Sequence, residues 1–562
     1  MRGSWLSLNG EWDYAITGRE EKAFPEAQGK ILVPFAIESA LSGVEKGITA
    51  SDRLWYKKTF EIPESFEGKS ILLHFDAVDW QCKVYINGKA AGSHTGGYCA
   101  FTLDITDALK KGENELTVCV YDPTDEGWQQ RGKQTQKSHG FWYTATSGIW
   151  QTVWLEAVSE SRIESIRLLP DIDAGTIKIT SSLLNADGCV LKACVYDGET
   201  QIACEQIGES AEVALKDFRL WSPEEPNLYD LKLELSRDDE VIDSVKSYFG
   251  MRKFSIEKTS DGYPRLFLNN KVYFQNGLLD QGYWCDGVLT PPTDEAMIYD
   301  IQKMKELGFN MLRKHIKVEP ARWYYHCDRL GMLVWQDMVS GGQYIGTVLA
   351  GVLPNLRINI KDDKYDAFKR GNPKWREDFR RELFEILNQL YNSVSICCWV
   401  PFNEGWGQFD AKQIGDEVKA FDPSRYVDHA SGWYDQKGGD FKSIHRYIVP
   451  VTRPRPESRP FVLSEYGGYS RVIDSHVWNK AKSFGYKMYS SQESLTKAYK
   501  ALFEKQIFPL IPKGLCALVY TQVSDVEFEV NGLLTYDREL VKLEESTVKE
   551  LNAEAMRLGC RE

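Results

Sequence analysis

Two glutamates stand where apolar, strand-like runs end. Glu404 closes the run over residues 396–403, and Glu465 closes the run that begins at Phe461. A buried carboxylate is costly unless it is hydrogen-bonded or used in chemistry. For either glutamate alone, an ion pair with an arginine or a helix cap is as good an explanation as a functional role. Two such carboxylates on facing strands favour general acid/base and nucleophilic chemistry.

A pair of neighbouring carboxyl groups is what the hydrolysis of a glycosidic bond with retention requires. Retaining glycoside hydrolases hold two carboxyl groups roughly 5–5.5 Å apart: one attacks the anomeric carbon, and the other protonates the leaving oxygen and then activates water. The chain is also rich in aromatic residues, with 17 Trp, 28 Tyr and 25 Phe. Aromatic planes suit the apolar faces of sugar rings. Carbohydrate is therefore the expected partner.

The third part of the sequence, residues 257–562, has the pattern needed to position these side chains. Strand-like runs alternate there with helical ones, and eight strands are predicted. They start near Val272, Phe309, Met332, Ser395, Tyr426, Phe441, Phe461 and Leu515. This pattern predicts a catalytic (β/α)₈ TIM barrel, whose active site lies at the carboxyl ends of the strands. Glu404 and Glu465 then follow the fourth and seventh strands.

Helix signals agree with the barrel. Thr293 is a predicted N-cap, and Gly308 suits the position just after the same helix. Pro320 suits the first position of the next helix. The long segment over residues 338–374 follows the third strand and is rich in glycine and polar residues. A segment of this length between barrel elements predicts an active-site loop.

The first two parts of the chain read as all-β. Residues 1–157 show short apolar runs between turn signals, including the hairpin dipeptide Asn87-Gly88, and predict a jelly-roll sandwich. Residues 158–256 have the size and strand pattern of an immunoglobulin-like β-sandwich. The fold class is therefore multidomain: jelly roll, immunoglobulin-like sandwich and TIM barrel.

Composition excludes several function classes. The net charge of −13 disfavours nucleic acid and anionic membrane surfaces as partners. No apolar run reaches the roughly 20 residues of a membrane helix, and no apolar signal core follows Met1. A cytoplasmic protein is expected. The twelve cysteines form no metal-binding pair spacing, and we predict reduced core residues rather than disulfides.

The motifs together resemble those of glycoside hydrolase family 2, along essentially the whole chain. The runs from Leu8 to Trp12 and from Thr146 to Gln151 resemble the start and end of its sugar-binding jelly roll, and Leu220 to Pro223 resembles its middle-domain signature. Asn403-Glu404-Gly405 matches the acid/base motif, and Ser464 to Gly467 matches the nucleophile motif. The resemblance implies that Glu465 is the nucleophile and that Glu404, which must start protonated, is the acid/base.

The resemblance also implies substrate-binding residues. Asn403 is expected to hydrogen-bond the 2-hydroxyl of the sugar, and Tyr447 to lie beside the nucleophile. Arg313 is expected to favour the charged nucleophile or to form a structural ion pair in the barrel. Asp337 is a candidate for binding a sugar hydroxyl. Trp406 is a candidate stacking platform or a packed core residue.

Three histidines near predicted strand ends leave a second enzyme class open. His315 resembles the family histidine after the second strand, and His429 is included among the expected substrate contacts. Together with His445 they could serve a barrel metallohydrolase. That class usually adds a ligand pair from the first strand, which residues 273–277 do not offer.

Departures from the family patterns narrow the specificity. Residues 338–342 lack the magnesium ligands of lactose-operon-type β-galactosidases, so we predict no metal and no cofactor. Asn531-Gly532-Leu533 breaks the Asn-x-Lys motif of β-glucuronidases, which disfavours a glucuronide. A β-galactoside is the first expectation, from family frequency alone; β-mannoside, β-glucoside and arabinoside stay open. A carbohydrate-binding protein without activity is the non-enzymatic alternative, and a homo-oligomer is implied by the resemblance.

Overall fold

The structure, a computed structural model, describes residues 2–447 and 449–561. The ends of the first and third predicted domains, Met1 and Glu562, lie outside the described residues. The chain packs as two units. The first holds the chain up to Thr124 together with Thr146–Arg252 and Leu387–Val394; the second holds Asp125–Ala145, Lys253–Ile386 and the chain from Ser395 onwards. The predicted boundaries at 157 and 256 stay predictions.

A jelly-roll sandwich of antiparallel strands opens the first unit. Its four-stranded sheet has, in spatial order, Trp5–Ser7, Val153–Val158, Ser70–Phe75 and Phe101–Asp104. Its six-stranded sheet has Gly29–Val33, Gly10–Gly18, Asp52–Glu61, Glu113–Tyr121, Gln81–Ile86 and Lys89–Thr95. Alternate residues of the strands face the buried core, which includes Trp12 and Tyr56. Asn87 and Gly88 both have positive φ and form the predicted hairpin turn.

The immunoglobulin-like sandwich follows in the same unit. Its three-stranded sheet has Arg162–Asp171, Thr176–Leu184 and Ser210–Ala214, and its four-stranded sheet has Thr200–Ile207, Val190–Asp197, Tyr229–Arg237 and Glu240–Phe249. Cys194 and Cys204 lie directly opposite one another on neighbouring strands and are joined in a disulfide. The prediction that all cysteines are reduced is wrong for this pair, because the sandwich register brings them together. The other ten cysteines, all among the described residues, are not part of a disulfide.

Eight parallel strands at the centre of the second unit form the barrel. We number them β1 (Gln275–Asp280), β2 (Met311–Lys314), β3 (Leu333–Asp337), β4 (Ile396–Val400), β5 (Tyr426–Val427), β6 (Lys442–Arg446), β7 (Phe461–Gly467) and β8 (Leu515–Thr521). Their spatial order is β5-β4-β3-β2-β1-β8-β7-β6. The strands are buried along their length except for part of β6, as expected for parallel strands covered by helices. The predicted first start, Val272, instead lies in a small sheet of Phe254–Lys258, Pro264–Leu268 and Lys271–Val272.

Helices connect most of the barrel strands. They span Asp294–Glu306, Ala321–Leu330, Leu353–Asn355, Pro373–Leu390, Ala411–Phe421, Gln492–Leu502 and Glu545–Gly559. The Thr293 side chain accepts a hydrogen bond from the Ala296 amide (3.2 Å), as predicted for the N-cap. Pro320 is an N-cap rather than the first helical residue. No helix among the described residues is long and apolar enough to cross a membrane.

The segment Asp125–Ala145 leaves the jelly-roll sequence and packs within the barrel unit. Gly342 donates its amide to the Gln129 carbonyl (2.9 Å), which ties the segment to the loop after β3. The Tyr143 hydroxyl donates to Glu529 and the Thr144 amide donates to Glu527 (2.7 Å), which tie it to the loop after β8. Segment 125–145 thereby connects the loop after β3 with the loop after β8.

Backbone geometry explains the motif over residues 146–151, which ends the jelly roll. Gly148 has φ +88°, and a Cβ at this position would lie 2.0 Å from the Tyr56 hydroxyl oxygen. That hydroxyl accepts the amide of Ile149 (3.1 Å). The Trp150 indole is fully buried and donates to the Gly97 carbonyl (2.8 Å). The motif therefore holds the end of the sandwich together.

We expect Gly148→Ala to destabilise the first unit by about 2–4 kcal/mol, because left-handed backbone strain adds to a steric clash. Gly188 is the matched control: it also has a positive φ (+74°), but no atom lies within 4 Å of its Cβ position. Gly188→Ala should cost only about 1–2 kcal/mol. Calorimetric unfolding of both variants measures the difference, and equal losses would contradict this reading of the motif.

Candidate active site

A cavity of about 270 Å³ lies at the carboxyl ends of the barrel strands. Glu404 and Glu465 both line it, together with Asn403, His315, Trp406 and Tyr447 from the predicted set. The loop over residues 338–374 contributes Tyr344 to Asn355, as an active-site loop should. Segment 125–145 adds Lys133, Phe141 and Trp142.

The two glutamates lie close together. A carboxylate oxygen of Glu404, a carboxylate oxygen of Glu465 and a ring nitrogen of His445 are all within 4.8 Å of one another. His445 Nδ1 is 2.8 Å from Glu404 Oε1, and its Nε2 is 3.6 Å from Glu465 Oε1. The imidazole therefore sits against both carboxylates.

Glu404 is carried on a strained turn. Its φ is +51°, followed by Gly405 at +72°. Its amide donates to the Ser431 carbonyl (3.0 Å), which holds the turn against the loop after β5. Non-glycine residues in this region of backbone space are costly and are common at functional sites. The turn aims the side chain into the cavity, where it keeps 28% of its surface exposed.

Burial raises the pKa of Glu404 to about 7, while the charges of Lys133 and Arg313 act to lower it. Burial lowers the pKa of His445 to about 4, so this imidazole is neutral at neutral pH. Depending on its tautomer, a neutral imidazole accepts a hydrogen bond from a protonated Glu404 or donates one to an ionised Glu404. His445 can therefore remain hydrogen-bonded to Glu404 in both protonation states.

Glu465 lies deeper and is held by strong donors. The Arg313 guanidinium donates from Nη1 to Oε1 (3.1 Å), and the Tyr447 hydroxyl donates to Oε2. Its side chain is only 4% exposed. The two carboxylates thus have different surroundings, one paired with a cation and the other not.

Arg313 lies behind the cavity wall, fully buried, and does not line the cavity. It donates to both carboxylate oxygens of Asp337 (2.9 and 3.0 Å), and to the Asn403 side-chain oxygen (2.9 Å). Because a guanidinium only donates, it orients the Asn403 amide so that the NH₂ group is left for the cavity. The prediction that Arg313 binds substrate is therefore corrected: it positions residues that line the site.

Asp337 is corrected in the same way. Its oxygens are occupied by Arg313 and by His315 Nδ1 (2.8 Å), so no sugar hydroxyl is needed to satisfy this carboxylate. Burial keeps the pKa of His315 well below its usual value. A neutral His315 that donates from Nδ1 to Asp337 leaves its Nε2 as an acceptor on the cavity side.

His429 does not line the cavity. Its Nε2 faces the amides of Gln436 and Gly438 (3.3 and 3.2 Å) and the Asp435 carboxylate, so the ring supports the loop after β5. The prediction that His429 contacts substrate is wrong, because strand-end position alone does not set side-chain direction. Among the described residues, the three histidines of the metallohydrolase alternative do not converge.

Trp406 has features of both roles predicted for it, the stacking platform and the packed core residue. It lines the cavity but is only 7% exposed, and its ring packs edge-on against Trp142 at a centroid distance of 5.0 Å. The cationic group of Arg131 lies over both rings, 4.9 and 5.3 Å from the centroids. The tryptophan pair forms an aromatic wall shared by the barrel and segment 125–145.

Sequence reasoning missed several residues of the site. Lys133 and Glu529 line the cavity, and the sequence around them carries no pattern that indicates a role. The Lys133 ammonium makes no hydrogen bond or ion pair with any residue that the structure describes, and lies 5.9 Å from the Phe141 ring centroid. Glu529 accepts from Tyr143 and from the Asn531 side-chain amide (3.0 Å). The only signal was the position of segment 125–145, a long loop with several aromatic residues.

Known proteins resemble the chain along its length. A putative β-glucuronidase of Formosa agariphila is 27% identical in an alignment 465 residues long, which covers 74% of this chain and 51% of that protein. A β-galactosidase of Thermoanaerobacter pseudethanolicus is 27% identical in an alignment 446 residues long, which covers 75% of this chain and 55% of that protein. The chain therefore spans about half the length of these curated relatives. The solved structure of a Ruminococcus gnavus β-glucuronidase superposes with a TM-score of 0.80 at 16% identity, covering 99% of this chain and 98% of that one, which shows the shared fold.

Three family models match successive parts of the sequence. Residues 44–158 match the sugar binding domain of glycosyl hydrolases family 2, residues 162–252 match the second domain, and residues 291–553 match the TIM barrel domain. The matches occur in the family order and cover both packed units. The chain belongs to glycosyl hydrolase family 2.

Proposed function

We propose that this protein is a retaining β-glycosidase that removes a terminal sugar by double displacement. The spacing of Glu404 and Glu465, with carboxylate oxygens within 4.8 Å, carries the proposal. Retaining enzymes hold their carboxyl groups about 5–5.5 Å apart, whereas inverting enzymes need about 6.5–9.5 Å to admit a water. The short separation favours the retaining mechanism.

The surroundings of each carboxyl group suit one role. Glu465, ion-paired with Arg313, attacks the anomeric carbon while the bond to the leaving oxygen breaks. Glu404, whose pKa is raised to about 7, gives its proton to that oxygen. In the second step Glu404 takes a proton from water, the hydroxide attacks the anomeric carbon, and the bond to Glu465 breaks.

Neighbouring groups stabilise the transition state. The Asn403 NH₂ group, oriented by Arg313, is placed to donate to the 2-hydroxyl of the sugar, a contact that strengthens as the oxocarbenium-like state forms. The Tyr447 hydroxyl, hydrogen-bonded to Glu465, orients the nucleophile. His445 keeps Glu404 hydrogen-bonded through the proton transfers.

The size of the cavity supports action on chain ends. Its volume of about 270 Å³ is below the roughly 300–1,000 Å³ of cavities that enclose drug-sized ligands. Loop 338–374 and segment 125–145 form part of its wall. Such an enclosure fits one terminal sugar better than the middle of a chain.

A panel of aryl glycosides tests the proposal and names the sugar. The panel contains β-galactoside, β-glucoside, β-mannoside, β-glucuronide and arabinoside, each assayed for kcat/KM. The galactoside expectation stays a prediction. The relatives carry the names of two specificities, so the glucuronide is included although the Asn-x-Lys motif is broken.

We expect Glu404→Ala and Glu465→Ala each to lower kcat/KM on the best substrate by at least about 10²–10⁴-fold, the usual contribution of a general acid or base. Azide should partly restore turnover, because it replaces the missing base or nucleophile. Glu377→Ala, an exposed change on the helix Pro373–Leu390 that does not line the catalytic cavity, is the control. Activity like that of the wild type in either alanine variant would disprove the assignment.

The pH dependence should reflect Glu404. With a pKa of about 7, the protonated acid is present below this pH and is lost above it, so kcat/KM should fall on the basic side. The positive charge of Lys133 lowers this pKa. Lys133→Gln should therefore shift the basic limb of the profile to higher pH, whereas Lys137→Gln, an exposed change in the same segment, should leave it in place. A downward shift in Lys133→Gln would contradict the argument.

Metal removal separates the proposal from a metallohydrolase. Glu404, His445 and Glu465 have the atoms and spacing that a cation could use. The double-displacement mechanism needs no cation, so dialysis against a chelator should leave kcat/KM unchanged, and purified protein should hold no stoichiometric zinc. Loss of activity that zinc restores would instead favour the metallohydrolase.

A further inference from the structure

A second cavity of about 380 Å³ lies beside the catalytic one in the barrel unit. We call it the basic cavity, because six basic and two acidic side chains line it: Arg357, Lys437, Lys442, Arg446, Arg453 and Arg455, with Asp435 and Glu457. Such a concentration of positive charge is unusual in a chain with a net charge of −13. The mechanism proposed for the catalytic cavity does not account for this concentration of positive charge.

The two acids are already neutralised. Asp435 pairs with Lys442 (2.5 Å) and with Arg459 (2.8 Å), and Glu457 pairs with the same arginine (2.5 Å). The two acids are thus paired with Lys442 and Arg459. These ion pairs leave the remaining cations without a counter-charge.

Four arginines are in that position. Among the residues that the structure describes, Arg357, Arg446, Arg453 and Arg455 have no acidic partner within ion-pair distance. Burial lowers the pKa of the half-buried Arg446, and the nearby charge of Arg357 lowers it further. Like charges held together in a concave site repel one another and attract anions.

The arginines are also pre-positioned. Arg453 and Arg455 alternate with Pro454 and Pro456, and proline fixes φ and favours an extended conformation in the residue before it. The Arg357 guanidinium donates to the Thr452 hydroxyl (2.9 Å), which joins the loop after β3 to this extended segment. Less side-chain and backbone freedom is then lost when an anion binds.

The basic cavity adjoins the acid/base end of the catalytic cavity. Trp433 lines both cavities. At the end of β6, His445 lines the catalytic cavity and the next residue, Arg446, lines the basic one, as expected where successive side chains of a strand point to opposite faces. The loop that carries Trp433 is bonded to Glu404 through the Ser431 carbonyl (3.0 Å). Because the acid protonates the leaving oxygen, the leaving group lies on this side.

We propose that the basic cavity is a subsite for an acidic leaving group, one that carries a carboxylate or a sulfate ester held by Arg357, Arg446, Arg453 and Arg455. The inference rests on the proposed function and names its substrate class: the bond cleaved joins a terminal sugar to an anionic unit. Arginine suits this task because its planar fork donates two parallel hydrogen bonds to a carboxylate or sulfate.

Binding to the Glu465→Gln variant tests the inference without turnover. Three probes are titrated by calorimetry: cellobiose, its analogue with glucuronate at the reducing end, and its analogue with a reducing-end 6-sulfate. The non-reducing unit is the same in all three, so it cancels in the ratio of affinities. At low salt we expect at least one anionic probe to bind about tenfold or more tightly than cellobiose, and the two anionic arms distinguish carboxylate from sulfate.

The double change Arg357→Gln with Arg455→Gln should remove most of this preference, and so should 0.5 M salt, which screens exposed charges. The matched control is Arg322→Gln with Arg557→Gln, which removes two exposed arginines of the same unit that line neither cavity. Both glutamine pairs change the net charge equally. The control should keep the preference.

Equal affinities for the neutral and both anionic probes would overturn the inference. So would a preference that survives in the Arg357/Arg455 variant but is lost in Lys133→Gln, since the anion would then bind in the catalytic cavity. Binding requires no chemistry, so failure here leaves the tests of Glu404 and Glu465 on aryl glycosides untouched. Failure of the tests on aryl glycosides would be detected in those activity assays and not in the calorimetric titrations.

Discussion

The buried guanidinium of Arg313 is the interaction on which the catalytic cavity depends. All five of its N–H groups are used: they donate to Asp337, Asn403, Glu465 and the Ser464 carbonyl. A buried charge is costly unless it is paired and fully hydrogen-bonded, and here both conditions are met. One side chain on β2 thereby joins β3, the turn after β4 and β7. Because Asn403 immediately precedes Glu404, this connection ties the turn that carries Glu404 to the strand that carries Glu465.

The network also separates the two carboxyl groups chemically. Glu465 shares the positive charge of Arg313, while Glu404 reaches the neutral His445 and only the more distant cations. Two identical side chains thus differ because only one of them is paired with a cation. Pairs of titratable groups whose surroundings push them apart are the usual basis of acid and nucleophile roles. The barrel places the two carboxyl groups near each other, and the buried network gives them different electrostatic surroundings.

Chain segments from outside the strands decide what can enter. Segment 125–145 supplies Lys133 and the Trp142 wall, and the loop over residues 338–374 supplies the adjoining wall, where Tyr344 packs against Trp142. The loops after β3, β5 and β6 line the basic cavity. In the proposed mechanism the reacting groups lie at strand ends, and loops line the space around them, as in other barrel enzymes.

The sequence by itself determined the fold class, the positions of most barrel strands and the strand ends near which Glu404 and Glu465 lie. Periodicity and turn chemistry are local, so seven of the eight predicted strand starts fall within two residues of the observed ones, and Glu404 follows β4 while Glu465 lies within β7. Only the tertiary structure decided what each side chain touches. Asp337 and His429 sit at strand ends as predicted, but buried partners occupy them, and Cys194 meets Cys204 through sandwich register. Lys133 lines the same cavity as Glu404 although some 270 positions of sequence separate them, and no local pattern directs its loop there. Contacts of this range depend on packing between distant segments, and a single sequence carries no periodic signal for them.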